Sequence, residues 1–148
     1  MPFSIPIKIL PHGVGLPLPR YSTAGSAGID LCAAIQDRLT LIPGETQPVP
    51  TGIAIAIPEG YEGQVRPRSG LARKSQIGIL NSPGTVDSDY RGEVQVLLTN
   101  FSQTPFTLQR GDRIAQLVIT KYETIEWDPT DELPESGRGE GGFGHTGR

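Results

Sequence analysis

Short aliphatic runs, separated by glycine and proline, recur along most of the chain and predict β-strands. In residues 51–57, isoleucines at 53, 55 and 57 alternate with smaller residues, which is the period of a strand. Residues 92–100 and 113–122 are rich in Val, Ile and Leu, as is typical of strands covered on both faces. Residues 5–10 predict a first strand, and the one predicted helix is short, over residues 69–75 after Pro67.

This pattern predicts an all-β domain. The 19 glycines and 14 prolines among 148 residues are scattered, which favours many short strands over long helices. A chain of this length forms one domain with its own core, and we expect a sandwich or barrel over residues 1–127. Residues 128–148, hereafter the C-terminal arm, change character, with few apolar residues and many glycines.

Composition excludes several classes of function. The net charge of -3 and the pI near 5.3 argue against general nucleic-acid binding, which needs a basic face. No apolar run approaches the ~18 residues of a transmembrane helix, and no signal-peptide pattern is present, so we expect a cytoplasmic protein without membrane contact. The single cysteine, Cys32, excludes an internal disulfide and is read as a small apolar strand residue. Two histidines, His12 and His145, argue against a histidine metal site.

Two segments combine charge with strand or helix signals. Residues 24–34 (AGSAGIDLCAA) place Asp30 between two aliphatic residues, where it is equally well interpreted as a structural or as a functional carboxylate. Residues 66–74 (RPRSGLARK) gather four cations around the predicted helix start, namely Arg66, Arg68, Arg73 and Lys74. Helix N–H groups, the Arg68 guanidinium and the Ser69 hydroxyl suit a phosphate, so phosphate binding is favoured over a solvated basic turn.

Two further segments place polar groups at defined offsets. Residues 78–94 (GILNSPGTVDSDYRGEV) predict a hairpin that carries Asn81, Asp87 and Tyr90. The Asn81 amide suits a base edge and the Tyr90 ring offers a flat face to a sugar, although Asn and Asp are also ordinary turn residues. In residues 111–119 (GDRIAQLVI), Gln116 lies within an apolar strand and therefore needs a polar partner.

The C-terminal arm has two interpretations. Its composition alone is that of a disordered end. However, the order of residues in RGEGGFGHTG suits phosphate binding, because glycine-rich backbone can turn several N–H groups onto an anion while Arg138 and Thr146 add donors. A segment of this kind can be mobile when empty and ordered when a ligand arrives.

Together, AGIDLCAA, RPRSGLARK, GTVDSDYRG, GDRIAQLVI and RGEGGFGHTG resemble, in order and spacing, the five motifs of the trimeric dUTP pyrophosphatases (dUTPases). The resemblance runs from about residue 24 to the C-terminus. It implies a distorted jelly-roll fold and the hydrolysis of dUTP to dUMP and pyrophosphate, which limits uracil incorporation into DNA and supplies dUMP for dTMP synthesis. It also implies a homotrimer with shared sites, in which the first, second and fourth segments come from one chain, the third from another and the arm from the last.

The resemblance further implies a role for each candidate residue. Asp87 would act as the general base on the water that attacks the α-phosphorus. Mg²⁺ would be held by phosphates and waters without a direct protein ligand. Asp30 would at most contact the groups that bind the ion. Phosphates would be bound by Arg68, Ser69, Gly70 and Gln116, uracil by Asn81 and the sugar by Tyr90. Thr85, Val86 and Gln95 would also bind the substrate. From the arm, Phe143 would stack on uracil while the γ-phosphate end is closed by Arg138, Gly144, His145 and Thr146.

Two alternatives share this fold. A dCTP deaminase-like enzyme shares part of the second motif, but the DSDYRG segment and the complete Gly-Phe-Gly arm favour dUTP hydrolysis. A non-catalytic dUTPase-fold protein for nucleotide sensing or partner binding would have no need to keep Asp87.

Overall fold

Two four-stranded antiparallel sheets and a two-stranded pair make up the fold in the computed structural model, which describes residues 3–148. One α-helix, α1 (Ser69–Ser75), and a 3-10 helix at Pro11–Gly13 accompany them in this range. The strands are β1 (Ile7–Ile9), β2 (Gly28–Cys32), β3 (Leu39–Leu41), β4 (Thr46–Ile55), β5 (Tyr61–Arg66), β6 (Ile77–Ile79), β7 (Gly84–Val86), β8 (Glu93–Asn100), β9 (Phe106–Leu108) and β10 (Arg113–Lys121).

The strand orders are β1-β4-β8-β6 in the first sheet and β2-β10-β5-β7 in the second, with β3 paired to β9. The predicted all-β class and the single short helix are therefore confirmed. No helix in residues 3–148 has the length and apolar character needed to cross a membrane. The inward faces of the two large sheets form one core of aliphatic side chains, among them Leu31, Val49, Val65, Val96, Leu98, Ile114 and Leu117.

Strand β4 starts earlier than the sequence pattern predicts, at Thr46 rather than at residue 51. Prolines 48 and 50 mask its start, because proline usually breaks a sheet ladder. Here β1 pairs only with the far half of β4, from Ile53 to Ile55, so the proline half has β8 as its only paired neighbour. A missing N–H group is tolerated on a strand edge that has no partner.

The hairpin predicted for residues 78–94 is confirmed in its two flanking strands, β6 and β8, but a strand that was not predicted, β7, lies between them. Strand β6 pairs with β8 in the first sheet, whereas β7 pairs with β5 in the second. The segment crosses between the sheets because each short strand buries an aliphatic side chain in the shared core, Ile79 from one side and Val86 from the other. Val86 lies opposite Gly63, whose missing side chain leaves the room that Val86 fills.

Asn100 is the fully buried polar residue at the end of β8. Its Nδ2 donates to the backbone oxygens of Leu41 and Thr104, at 2.9 and 2.8 Å. Its Oδ1 accepts from both the backbone N and the hydroxyl of Ser102. The side chain therefore joins β3 to the loop that follows β8.

We expect Asn100→Ala to lower the free energy of unfolding by about 2–3 kcal/mol, because buried groups left without a partner cost on the order of 1–3 kcal/mol each. Urea unfolding at a fixed protein concentration measures the loss. Thr107→Val is the matched control, since it removes an exposed hydroxyl pair with Thr40 and should change stability by less than about 0.5 kcal/mol. Equal losses in the two variants would contradict the role given to Asn100.

Candidate active site

Asp30 lies at the centre of a charged cluster on the outward face of the second sheet. Alternation along β2 turns Ile29 and Leu31 towards the interior and Asp30 outward, opposite Gln116 of β10. The Asp30 Oδ1 atom accepts from Arg68 Nε at 3.2 Å and from Gln116 Nε2 at 3.4 Å. Its Oδ2 atom accepts from Arg113 Nη1 at 3.2 Å. The structure thus brings together the first, second and fourth segments, which are far apart in the chain.

The cluster supports a structural interpretation of Asp30 within a single chain. Its side chain is only 13% exposed, and two guanidinium groups neutralise it. Arg68 also donates from Nη1 to the Arg113 backbone oxygen, so the two arginines are held side by side. A carboxylate that orients arginines prepares them to receive an anion. Sequence reasoning missed Arg113, although it lies in the quoted GDRIAQLVI segment, three residues before Gln116.

Four cations do not surround the start of α1, and this part of the sequence interpretation is wrong. Arg68 is the capping residue, while Arg73 and Lys74 lie in the last turn. The helix rises about 10 Å over its seven residues, so these two charges lie at its carboxyl end, where they complement the helix dipole. Arg66 donates instead to Gln64 Oε1. Ser69 and Gly70 remain exposed at the helix start, beside Arg68.

The loop of residues 87–92 connects β7 to β8 and exposes Asp87. The Tyr90 N–H donates to the backbone oxygen of Asp87 at 3.1 Å, and the Tyr90 hydroxyl donates to the backbone oxygen of Glu93 at 2.8 Å. A cavity beside this loop brings five of the predicted substrate residues together, namely Thr85, Val86, Asp87, Tyr90 and Gln95. Asn81 is not part of this lining; its amide lies against Gly84 instead.

Asp87 and the Asp30 cluster lie at opposite ends of β5. Val86 pairs with Gly63, which puts Asp87 level with Glu62, whereas Gln116 pairs with Arg66. Glu62 and Arg66 are four residues apart on an extended strand, so the level of Asp87 and the level of Gln116 are about 13 Å apart. Arg68 lies two residues beyond Arg66 in the chain. One chain therefore presents the predicted general base and the predicted phosphate-binding residues as two separate surfaces.

The C-terminal arm is exposed and makes its hydrogen bonds locally. Its turns join Ser136 to Gly139, Arg138 to Gly141 and Gly144 to Gly147. Phe143 has a positive φ of 48° and a fully exposed ring. Within residues 3–148, no hydrogen bond connects the arm to the β-domain. In the described residues, no hydrogen bond joins the predicted site residues of the arm to the other predicted site residues; those of the arm are Arg138, Phe143, Gly144, His145 and Thr146.

Cys32 follows Asp30 on the same outward face of β2. Burial raises the pKa of its thiol, and the negative charge of Asp30 raises it further, while Arg113 and Arg68 lower it. Because the thiolate is the reactive form, a raised thiol pKa makes Cys32 slow to react at neutral pH.

We expect Asp30→Asn to shift the pH profile of Cys32 alkylation by iodoacetamide to lower pH, because the variant removes a charge that raises the thiol pKa. At a fixed pH of about 8, alkylation should accelerate several-fold. Asp112→Asn is the matched control, since Asp112 is the weakest of the contributions to this pKa and should produce a smaller shift. A profile that does not move in Asp30→Asn, with folding verified by circular dichroism, would contradict this account.

Comparison with known proteins agrees with this architecture. The family model for dUTPase matches residues 15–147 of the chain. The chain is 57% identical, over 148 residues, to the deoxyuridine 5'-triphosphate nucleotidohydrolase of Methylocella silvestris, which covers 99% of this chain and 92% of that protein. It is 58% identical, over 146 residues, to the protein of the same name from Wolbachia pipientis, covering 97% of this chain and 95% of that protein.

The fold is also similar to that of a solved structure. The dUTPase of Staphylococcus bacteriophage 80alpha, solved with dUPNHPP, superposes with a TM-score of 0.87 at 27% sequence identity. The match covers 98% of this chain and 99% of the phage chain.

Proposed function

The chain belongs to the dUTPase family and is an enzyme of that family, and from this premise we propose that it hydrolyses dUTP to dUMP and pyrophosphate. One observation carries the mechanism. The Asp87 loop and the Asp30–Arg68–Gln116 cluster lie at opposite ends of β5, which supports a site that is completed by more than one copy of the chain. The biological role that follows is to limit uracil in DNA and to supply dUMP for dTMP synthesis, in the cytoplasm.

Asp87 is the proposed general base. Its carboxylate is exposed on loop 87–92, so it can reach a water molecule beside a substrate that spans two chains. The water oxygen forms a bond to the α-phosphorus while its proton passes to Asp87. The bond from the α-phosphorus to the bridging oxygen breaks, and pyrophosphate leaves with that electron pair. Such phosphoryl transfer depends mainly on positioning and on charge neutralisation.

The phosphates are assigned to the surface around the helix start. Arg68 is already oriented by Asp30, and Ser69 and Gly70 are exposed next to it with free backbone at the first turn of α1. Gln116 lies across the strand pair from Asp30 and completes the surface. These groups would neutralise and position the triphosphate.

A magnesium ion fits this surface only if substrate oxygens and waters bind it. Both oxygens of Asp30 already accept from arginine, and in the described residues no three acidic, histidine or cysteine side chains converge. A carboxylate has about four lone-pair positions, so Asp30 can still accept from an ion-bound water. The bound ion supplies charge neutralisation of the phosphates, as Mg²⁺ does while it keeps several of its waters.

The nucleoside is assigned to the cavity beside loop 87–92. The Tyr90 ring would lie under the deoxyribose, where a 2′-hydroxyl would be in contact with it, and Gln95, Thr85 and Val86 line the remaining wall. Asn81 and the adjacent backbone would pair with uracil. A site that pairs with one base edge leaves buried polar groups unsatisfied with another, which can give on the order of 10⁴-fold discrimination.

A homotrimer with shared sites completes the proposal. The arm is exposed and free of its own β-domain, as expected for a segment that closes over a neighbour. Phe143 would stack on uracil, a contact worth about 1–3 kcal/mol. Arg138, Gly144, His145 and Thr146 would close the γ-phosphate end. On this proposal residues 1–127 are the β-domain that holds the first four segments and residues 128–148 are the closing arm.

We expect Asp87→Asn to lower kcat by about 10²–10⁴-fold with KM within about threefold of the wild type, because the amide cannot take the proton but keeps its size. Chromatography of products from dUTP gives both constants. Asp89→Asn is the matched control, since Asp89 is an exposed aspartate on the same loop and should retain most of the activity. Full activity in Asp87→Asn would show that another group is the general base.

The same chromatography separates the alternative functions. The wild type should convert dUTP to dUMP in preference to dCTP, dTTP and UTP. Release of ammonia from dCTP would identify a deaminase instead. Nucleotide binding without any conversion would identify a sensing or partner-binding protein.

Shared sites predict that two inactive variants complement each other. Asp87→Asn keeps the phosphate-binding surface and Arg68→Ala keeps the base, so co-refolding them in equal amounts should restore about a quarter of wild-type activity in randomly mixed trimers. Each variant refolded alone should stay inactive, and sedimentation should show trimers in all samples. No recovery in mixed trimers would contradict a site divided between chains.

A further inference from the structure

Loop 87–92 has little contact with the core, although it carries Asp87 and Tyr90. Its own hydrogen bonds are local. The Arg91 guanidinium donates to the backbone oxygens of Ser88 and Tyr90, and the Tyr90 hydroxyl donates to the backbone oxygen of Glu93. The last of these acceptors is the first residue of β8. The place of the loop therefore depends on how the start of β8 is held.

The start of β8 is held by the side chain of Glu93. This side chain is 17% exposed, and its Oε1 atom accepts from the Gly52 backbone N at 2.9 Å and contacts His12 Nε2 at 2.5 Å. Gly52 lies in a bulge of β4, because the pairing shifts from Pro50–Gln95 to Ala54–Glu93. A bulge leaves a backbone N–H without a partner in the strand ladder, and here the Glu93 carboxylate accepts the hydrogen bond from that N–H.

The 3-10 helix Pro11–Gly13 delivers His12 to this bulge. The Leu10 N–H donates to the Gly52 oxygen at 2.8 Å, just before the helix. Gly13 lies so close to Gly52 that a Cβ atom there would be 2.4 Å from the Gly52 oxygen. From the β9–β10 turn, Arg110 donates to the backbone oxygens of His12 and Val14. The backbone around His12 is thus held by Gly52 on one side and by Arg110 on the other, which places the imidazole against Glu93.

We propose that His12 and Glu93 are positioning residues for the reaction, a role that rests on the proposed function of Asp87 and Tyr90. The chain of contacts runs from His12 to the Glu93 carboxylate, from the Glu93 backbone oxygen to the Tyr90 hydroxyl, and from the Tyr90 N–H to the Asp87 oxygen. His12 is not among the residues that line the cavity, whereas Glu93 lines it beside Tyr90; the two residues act by holding the loop that carries Asp87. A shift of about 1 Å at a catalytic group can cost on the order of 10²-fold in rate.

The test compares His12→Leu with His12→Gln, whose side-chain Nε2 can donate where the imidazole Nε2 lies. We expect His12→Leu to lower kcat about 10–100-fold, more than it raises KM, and His12→Gln to stay within about threefold of the wild type. Thr46→Val is the matched control, because it removes the Thr46–Thr99 hydroxyl pair at the other end of the same two strands. It should lower stability without changing kcat or KM.

Hydrogen exchange of the Tyr90 amide provides a readout that needs no substrate. Exchange should be at least about tenfold faster in His12→Leu, but unchanged in His12→Gln and in Thr46→Val. If the wild type releases no dUMP from dUTP, the proposed function fails, while the exchange rates still test the positioning role. If the kinetic constants and the Tyr90 exchange of His12→Leu match those of Thr46→Val, the positioning role is overturned even when dUTP is hydrolysed.

Discussion

The pairing of β5 with β10 on one side and β7 on the other is the constraint on which the rest of this molecule depends. A paired strand has a fixed rise per residue, so it holds the groups at its two ends at a set distance. The Asp30 cluster stands at one end and Asp87 at the other. Side-chain rotation alone does not close a gap of that size within one chain, which supports the proposed sharing of the site between copies.

The two surfaces are built in different ways. The proposed phosphate-binding surface is held by charge, because Asp30 has two guanidinium partners and a glutamine on a sheet face. The proposed nucleoside surface is held through the backbone, since the Tyr90 hydroxyl and the Arg91 guanidinium both donate to main-chain oxygens of loop 87–92 or of Glu93. The charged surface suits a triphosphate, and the backbone-held surface suits a neutral base whose edge must be matched by fixed donors and acceptors.

The bulge at Gly52 connects loop 87–92, through Glu93, to the rest of the domain. It joins the 3-10 helix, β4 and β8 at one point and leaves a backbone N–H that only the Glu93 carboxylate satisfies. Close packing of two glycines lets the helix reach this point. The arm is the opposite case, because it has local turns and no hydrogen bond to the β-domain among residues 3–148. A loop tied to the domain through Glu93 and an arm whose described hydrogen bonds are local are thus both features of one chain.

The sequence by itself determined the all-β class and the limits of α1, because strand period and helix signals are local properties of the chain, and the order and spacing of its five motifs determined the family. It did not determine β7 or the pairing of β7 with β5, because three residues between turns carry too little local signal to separate a strand from a loop. Nor did it determine that Arg113 joins Arg68 on Asp30, or that His12 reaches Glu93 across 81 positions of sequence. Those contacts follow from which strands lie side by side, and burial of aliphatic side chains across the whole core decides that arrangement.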